Sequence, residues 1–517
     1  MCAVFRASLS AVRSITSPYF RSAEPSGFQK QLARCLCALG LGAAAISARG
    51  EISLPHIFSS NMVLQRDQSV QVWGWAQPGE KVTVTFGRQE KFTVTSDSGK
   101  WSVRLSALAA SSEPAQLKIE GTNRIVLTNV LVGEVWLCSG QSNMEKPIGE
   151  QANQKPTKNW QEELKSGDQY PSIRLFKVAK NMAATPEKDV KGEWAVCSSN
   201  SLESMKFSAV AYFFARELSK ELKLPIGLTE SAWGGTRIEP WIPQEGFQSV
   251  PRISKLAPTL VAGQKLSNSV PTVLYNGMIA PLVPFALRGA LWYQGESNCI
   301  DQPDGAIYAD KMEAMIRSWR RIWGQGEFPV YYVQLAPYHY YYERDKPRVP
   351  NPDALPEMWE AQTAAQRIGN TGMAITMDLV DDLKDIHPTR KLEVGQRLAR
   401  LALSKTYGRK MIACYGPMFR RLTIKGNQAI VSFSHAEGGL ATIEGSPPAW
   451  FTIAGADNKF FPADAVIQDE SVVLTSSQVP SPKHVRFAWN EGAQPNLLNL
   501  QGLPAGPFRT DQPEAGH

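Results

Sequence analysis

The sequence predicts an α/β protein: a mostly parallel β-sheet with helices on both faces, flanked at each end by a β domain. Three observations carry this. Between about residues 130 and 408, short apolar runs alternate with amphipathic segments. From 50 to 128, and again after 409, the apolar residues instead recur every second position. At 517 residues the chain is also too long for one ordinary core, because single cores stop growing at roughly 250–300 residues.

Residues 1–48 read as a leader. Five basic side chains (Arg6, Arg13, Arg21, Lys30 and Arg34) stand against Glu24 and lead into the small apolar run CLCALGLGAAAIS at 35–47. This is the pattern of an export signal, with a small-residue cleavage site near Ala45-Ile46-Ser47-Ala48. The run is too short to span a bilayer, which needs about 20 residues. An exported protein without a membrane span is therefore expected, periplasmic or extracellular. The leader holds four of the seven net positive charges, and the remaining +3 gives no case for nucleic acid or an anionic membrane. With 43% hydrophobic and 20% charged residues, the composition is that of a folded globular chain.

Residues 49–130 are expected to form an N-terminal β-sandwich. Val82, Val84 and Phe86 alternate, as do Trp101, Val103 and Leu105, with turns such as QPGE and SDSGK between the runs. Residues 131–408 form the expected catalytic domain. The runs VLVGEVWLC, LPIGLTES, LRGALWYQ, FPVYYVQLA and GMAITMDL read as strands buried on both faces, and 207–222, 308–324 and 391–408 as amphipathic helices. Alternation returns in RRLTIKGNQAIVSFS and HVRFAWN, so residues 409–517 are expected to be a second β domain. Cys2, Cys35 and Cys37 fall in the leader. Cys138, Cys197, Cys299 and Cys414 are too widely spaced for a metal pattern, and one disulfide of unspecified pairing is open to them.

In open α/β sheets ligands bind beyond the carboxyl ends of the strands. Four apolar runs end there on residues with usable chemistry: Ser139-Gly140-Gln141-Ser142-Asn143, Trp233-Gly234-Gly235-Thr236, Gln294-Gly295-Glu296-Ser297-Asn298, and the segment holding Asp381, Asp382, Asp385 and His387. Ser142 is the candidate nucleophile and needs a base near neutral pKa. Of six histidines, His56, His435 and His484 lie in the β regions, His517 is terminal and His339 sits in an aromatic loop, which leaves His387. Asp385 is the first choice for the carboxylate that orients it, with Asp381 and Asp382 as alternatives. Gly234 or Gly235, the side-chain amide of Gln294 and the Ser142 N–H form a candidate oxyanion hole. Asn298 and Trp233 are candidate substrate contacts. No zincin, P-loop or dinucleotide-binding motif is present, and the segment around Ser142 lacks the G-x-S-x-G elbow.

Five segments in this order, GEVWLCSGQSNME, SAWGGTRIEPW, YNGMIAPL, RGALWYQGESN and DIHPTRK, resemble the sialate O-acetylesterase family of SGNH hydrolases, over roughly residues 54 to 511. The resemblance implies an SGNH-like sheet and an esterase without metal or cofactor that removes acetyl groups from a sugar. It further implies that Ser142 is the nucleophile, that Gly235 or Gly234 supplies an oxyanion N–H, that Gln294 stands where many SGNH enzymes have Asn, and that His387 is the base. Lys384 occupies the place of the acid in the superfamily's Asp-x-x-His spacing, which leaves Asp385, Asp381 or a Ser–His pair open. An acetylated plant polysaccharide is the alternative substrate, and a silent glycan-binding protein the alternative function. The segment YHYYYERDKPRVP (338–350) and Trp233, Trp241 and Trp292 are aromatic groups able either to stack on sugar rings or to pack in the core, with the core favoured for Trp292.

Overall fold

A computed structural model describes residues 51–261, 263–301, 304–342 and 346–511. The leader, its three cysteines and His517 lie outside the described residues.

The organising element is a 17-residue strand, β1 (Arg124–Gly140). Its first half pairs antiparallel with Ser111–Glu120 and parallel with Val63–Gln65, and its second half enters the central sheet. The expected boundary at 130/131 therefore falls inside one continuous strand, and the chain from Glu51 onward forms a single compact unit. In the N-terminal region Val70–Trp75 pairs with Lys100–Leu105, and Lys81–Phe86 pairs with both Gln89–Val94 and Ser111–Glu120.

The central sheet continues with β2 (Ile173–Lys177), β3 (Trp194–Val196), β4 (Ile226–Ala232), β5 (Gly289–Tyr293), β6 (Val330–Val333) and β7 (Thr371–Ala374). Their order is β7-β6-β5-β1-β4-β2-β3, parallel throughout except for β3. Burial on both faces explains the unbroken apolar runs. Val135, Leu137, Ala290, Trp292, Val330 and Tyr332 join one core cluster, while their alternate neighbours Trp136, Cys138, Leu291, Tyr293, Tyr331 and Val333 join another.

Helices α1 (Ser142–Glu145), α2 (Ala209–Leu222), α3 (Glu296–Asp301), α4 (Tyr308–Trp323), α5 (Ala354–Ala364) and α6 (Lys391–Leu401) accompany the sheet. Side chains of α2 and α6 enter the second cluster and those of α4 and α5 the first, so helices cover both faces. The helix expected at 391–408 keeps its α form only to Leu401 and closes in a wider turn over Ala402–Thr406. After 409 two antiparallel four-stranded sheets follow, one holding Met418–Lys425 and Gln428–Ser434, the other Phe451–Ala454 and His484–Phe487. Cys138, Cys197, Cys299 and Cys414 are free thiols, so no disulfide joins them. No described helix is long and apolar enough to cross a membrane.

The switch in strand order lies at β1, whose neighbours β4 and β5 leave in opposite directions. A crevice forms beyond the carboxyl end of such a strand. The chain segments after β1, β4 and β5 are the three motif turns singled out from sequence.

Candidate active site

β1 ends at Gly140 with φ 142°, a backbone region that side chains rarely adopt, and a Cβ there would stand 2.1 Å from the Tyr293 carbonyl oxygen. The close approach lets the Gln141 N–H donate to that same oxygen at 3.0 Å. Ser142 thus opens α1 at the strand's edge, with its Oγ 2.9 Å from His387 Nε2 across 245 residues of sequence. Both line a cavity of about 470 Å³, together with Glu145, Gly234, Gly235, Ser297 and Arg348. Its size is that of a site for a sugar-sized ligand.

The three carboxylates are distributed unequally around His387. Asp385 Oδ1 accepts from the His387 backbone N–H at 2.9 Å and stands 4.0 Å from Nδ1, outside hydrogen-bond range. Asp381 accepts from the Thr389 hydroxyl, and Asp382 pairs with Lys155 at 3.0 Å. Among these, only Asp385 approaches the ring. Burial first, and then the charges of Lys391 and Lys146, lower the His387 pKa to about 4 against the opposing charge of Asp385. The ring is therefore neutral at pH 7, the form in which Nε2 accepts a proton.

Beneath the pair lies a buried network absent from the sequence reading. Asn143 Nδ2 donates to Glu296 Oε1 and, at 3.0 Å, to the Ile386 carbonyl, while its Oδ1 accepts from Lys391 Nζ. The neighbour of the nucleophile is thereby tied to the neighbour of the base. Burial raises the Glu296 pKa and lowers that of Lys391 to about 7. The available signal was position: Asn143 follows Ser142, and Lys391 stands four residues after His387 at the start of a helix.

Two expected donors are spent elsewhere. Gln294 is fully buried, and its two amide N–H groups face Gln141 Oε1 at 3.0 Å, Thr236 O at 3.1 Å and Asn298 Oδ1 at 2.8 Å. Its own Oε1 accepts from Tyr308 at 2.7 Å. Both Gln294 N–H groups are thus engaged in holding the turns together. Gln294→Ala is expected to act on stability, costing on the order of 1–3 kcal/mol for each group left unpaired. Thermal unfolding checks this. A variant of unaltered stability with depressed turnover would restore the catalytic role. The N–H of Gly234 is also occupied, donating to Glu145 Oε2 at 2.7 Å. Gly235 has φ 72° with open space around its Cα, and among the described residues neither its N–H nor that of Ser142 meets an acceptor.

Asn298 and Trp233, the expected substrate contacts, are engaged with the protein's own groups. Asn298 is fully buried, accepting from Ile238 N–H at 2.9 Å and donating to Glu239 at 3.0 Å and Asp304 at 2.6 Å. Trp233 is partly buried and packs against the core, with Lys180 5.5 Å over its ring. Trp241 and Trp292 are core residues in edge-to-face contact. In the aromatic loop Tyr338 and Tyr340 are buried, and Glu491 of the C-terminal region accepts from the backbone N–H groups of Tyr340, Tyr341 and Tyr342. Of that cluster Tyr342 is the exposed ring.

Residues 132–404 match the family model of carbohydrate esterases described as sialic acid-specific acetylesterase. The sialate O-acetylesterase of Pongo abelii is 32% identical over 89% of this chain and 93% of its own. That of Homo sapiens is 31% identical over 73% and 75%. A crystal structure of a carbohydrate acetylesterase from Xanthomonas citri superposes with a TM-score of 0.79 at 34% identity, covering 89% of this chain and 99% of that one. A serine at the switch point, a neutral histidine within reach of it and this breadth of similarity lead to one assignment: the chain belongs to the sialic acid-specific acetylesterase family of carbohydrate esterases.

Proposed function

We propose that this carbohydrate esterase is an exported enzyme that removes O-acetyl groups from sugars through an acyl-enzyme, with Ser142 as nucleophile, His387 as general base and Asp385 as its carboxylate. The observation that carries the reading is the 2.9 Å contact between Ser142 Oγ and His387 Nε2 on the wall of the cavity. As Oγ bonds to the acetyl carbonyl carbon, its proton passes to Nε2 and the carbonyl oxygen takes the negative charge. The Ser142 and Gly235 N–H groups are the donors free to meet that oxygen. Collapse breaks the bond to the sugar oxygen, which takes the proton from His387. Water then repeats the sequence on the acetyl-serine and releases acetate. Asp385 favours the protonated ring during both steps, by charge at 4.0 Å rather than by a hydrogen bond.

The names of the relatives favour an acetylated sialic acid as acceptor sugar. Measuring acetate release from acetylated sialic acids, xylan, xyloglucan and pectin tests it, and absence of release from all four would overturn the reading. The pH profile offers a second check. Catalysis needs the neutral ring, so kcat/KM rises as pH passes upward through the His387 pKa. With that pKa lowered to about 4, the acid limb is expected near pH 4, well below the ordinary histidine range, and the profile is flat from pH 5 to 7. A limb near 6.5 would mean that the ring is not desolvated in solution. Export rests on the leader pattern of residues 1–48. Sequencing the mature amino terminus from cell fractions tests it, with a start close to residue 49 expected.

A further inference from the structure

The carboxylate of Glu145 occupies an unusual place. It lies three residues after Ser142 on the same short helix, so its side chain emerges on the same side of α1. One oxygen accepts from the Gly234 N–H at 2.7 Å, and the other is held by Lys180 Nζ at 2.6 Å. Gly234 itself is pressed against the nucleophile, since a Cβ placed on it would come within 3.2 Å of both Glu145 Oε2 and Ser142 Cβ. On its far side the turn is closed by the Thr236 hydroxyl donating to the Trp233 carbonyl and by Gln294 donating to the Thr236 carbonyl. The turn from Trp233 to Thr236 is thus pinned at both ends, and among the described residues the Gly235 N–H between the pins meets no acceptor.

From this geometry we infer that Glu145, braced by Lys180, is a positioning residue that couples the Gly234-Gly235 turn to the nucleophile's helix and so sets the spacing between the Gly235 and Ser142 N–H groups that receive the oxyanion. The inference rests on the acyl-enzyme reading above and assigns that site a residue which touches neither of the reacting atoms. A fixed spacing is what a preorganised hole requires, because donors aimed in advance at the developing charge need no reorganisation during reaction. A charge-assisted bond is suited to the task, being shorter and stronger than one between neutral groups. The ion pair to Lys180 keeps the carboxylate from rotating away, and the partial burial of Glu145, 16% exposed, reduces solvent competition for it.

Three variants of one protein test the brace. Glu145→Ala is expected to lower kcat by up to about 10²-fold with KM little changed, the scale of a small misplacement of catalytic groups. It should slow covalent modification of Ser142 by a p-nitrophenyl phosphonate in parallel, since that reaction also places an anionic oxygen in the hole. Amide hydrogen exchange in a peptide containing residues 233–236 should quicken. Glu145→Gln, whose amide oxygen still accepts from the Gly234 N–H but which loses the ion pair to Lys180, should recover part of the rate and of the exchange protection. Ser142→Ala serves as the blank for modification. Unchanged kcat and exchange in Glu145→Ala would overturn the inference, and so would a rise in turnover, which would make the carboxylate an obstruction in the hole. Equal losses in the Gln and Ala variants would overturn it too, since the Gln oxygen keeps the bond to the Gly234 N–H through which the brace acts. A wild-type protein that releases no acetate would instead overturn the functional reading, while the exchange result would still decide the brace.

Discussion

Replacing Ser142 by Ala is expected to lower acetate release by about 10⁴–10⁶-fold while leaving the fold intact. In the proposed mechanism Oγ is the atom that carries the acetyl group, and the rate expected to remain without it is that of water attacking a bound ester. The structural cost is small. The Ser142 side chain is half-buried and bonded to His387 alone, so its loss should change stability by less than about 1 kcal/mol. Turnover on an acetylated sugar and on 4-nitrophenyl acetate, measured with a thermal unfolding curve for the same preparation, separates the two effects. A folded variant with near-normal turnover would reduce Ser142 to a turn residue.

The second large effect concerns His387 and its carboxylate. His387→Ala is expected to cost about as much as Ser142→Ala, because nucleophile and base act as a unit and their losses do not add. Asp385→Asn isolates the charge: its amide oxygen can still accept from the His387 backbone N–H, while the attraction that favours the protonated ring is gone. A fall in kcat of up to about 10⁴ is expected, the upper end belonging to triads in which the acid also bonds Nδ1. Asp381→Asn and Asp382→Asn should change little, since Asp381 serves Thr389 and Asp382 forms an exposed, solvent-screened pair with Lys155. A large loss at Asp381 alone would move the role there, and small losses at all three would leave a Ser–His pair.

Much of this site was legible without coordinates, for a physical reason. A strand buried on both faces must read as a continuous apolar run, and the place where VLVGEVWLC or LRGALWYQ stops is the place where the chain leaves the sheet. Ligands sit at that edge in open α/β sheets. Ser142, Gly235 and His387 could therefore be placed in one region from residue type and position alone. The expectation for Gln294 followed the same logic, and the structure finds that amide engaged within the turns. Its residue type is right and so is its strand end, but a donor already bonded to Gln141, Thr236 and Asn298 has no proton to offer. Asn298 is likewise engaged, with Glu239 and Asp304.

What the sequence by itself determined is the layout: an α/β core flanked by β regions, its strand ends, and the kinds of group gathered beyond them. Those features are set by hydrophobic period and chain order, which are local properties. What only the tertiary structure decided is which of the gathered groups are free to react. Glu145 reaches Gly234 across 89 residues, Gln294 reaches Gln141 across 153, and Asn143 reaches Lys391 across 248. A hydrogen-bond donor can be used up by any acceptor that folding brings to it, so its availability is a property of the packed molecule and not of its residue type.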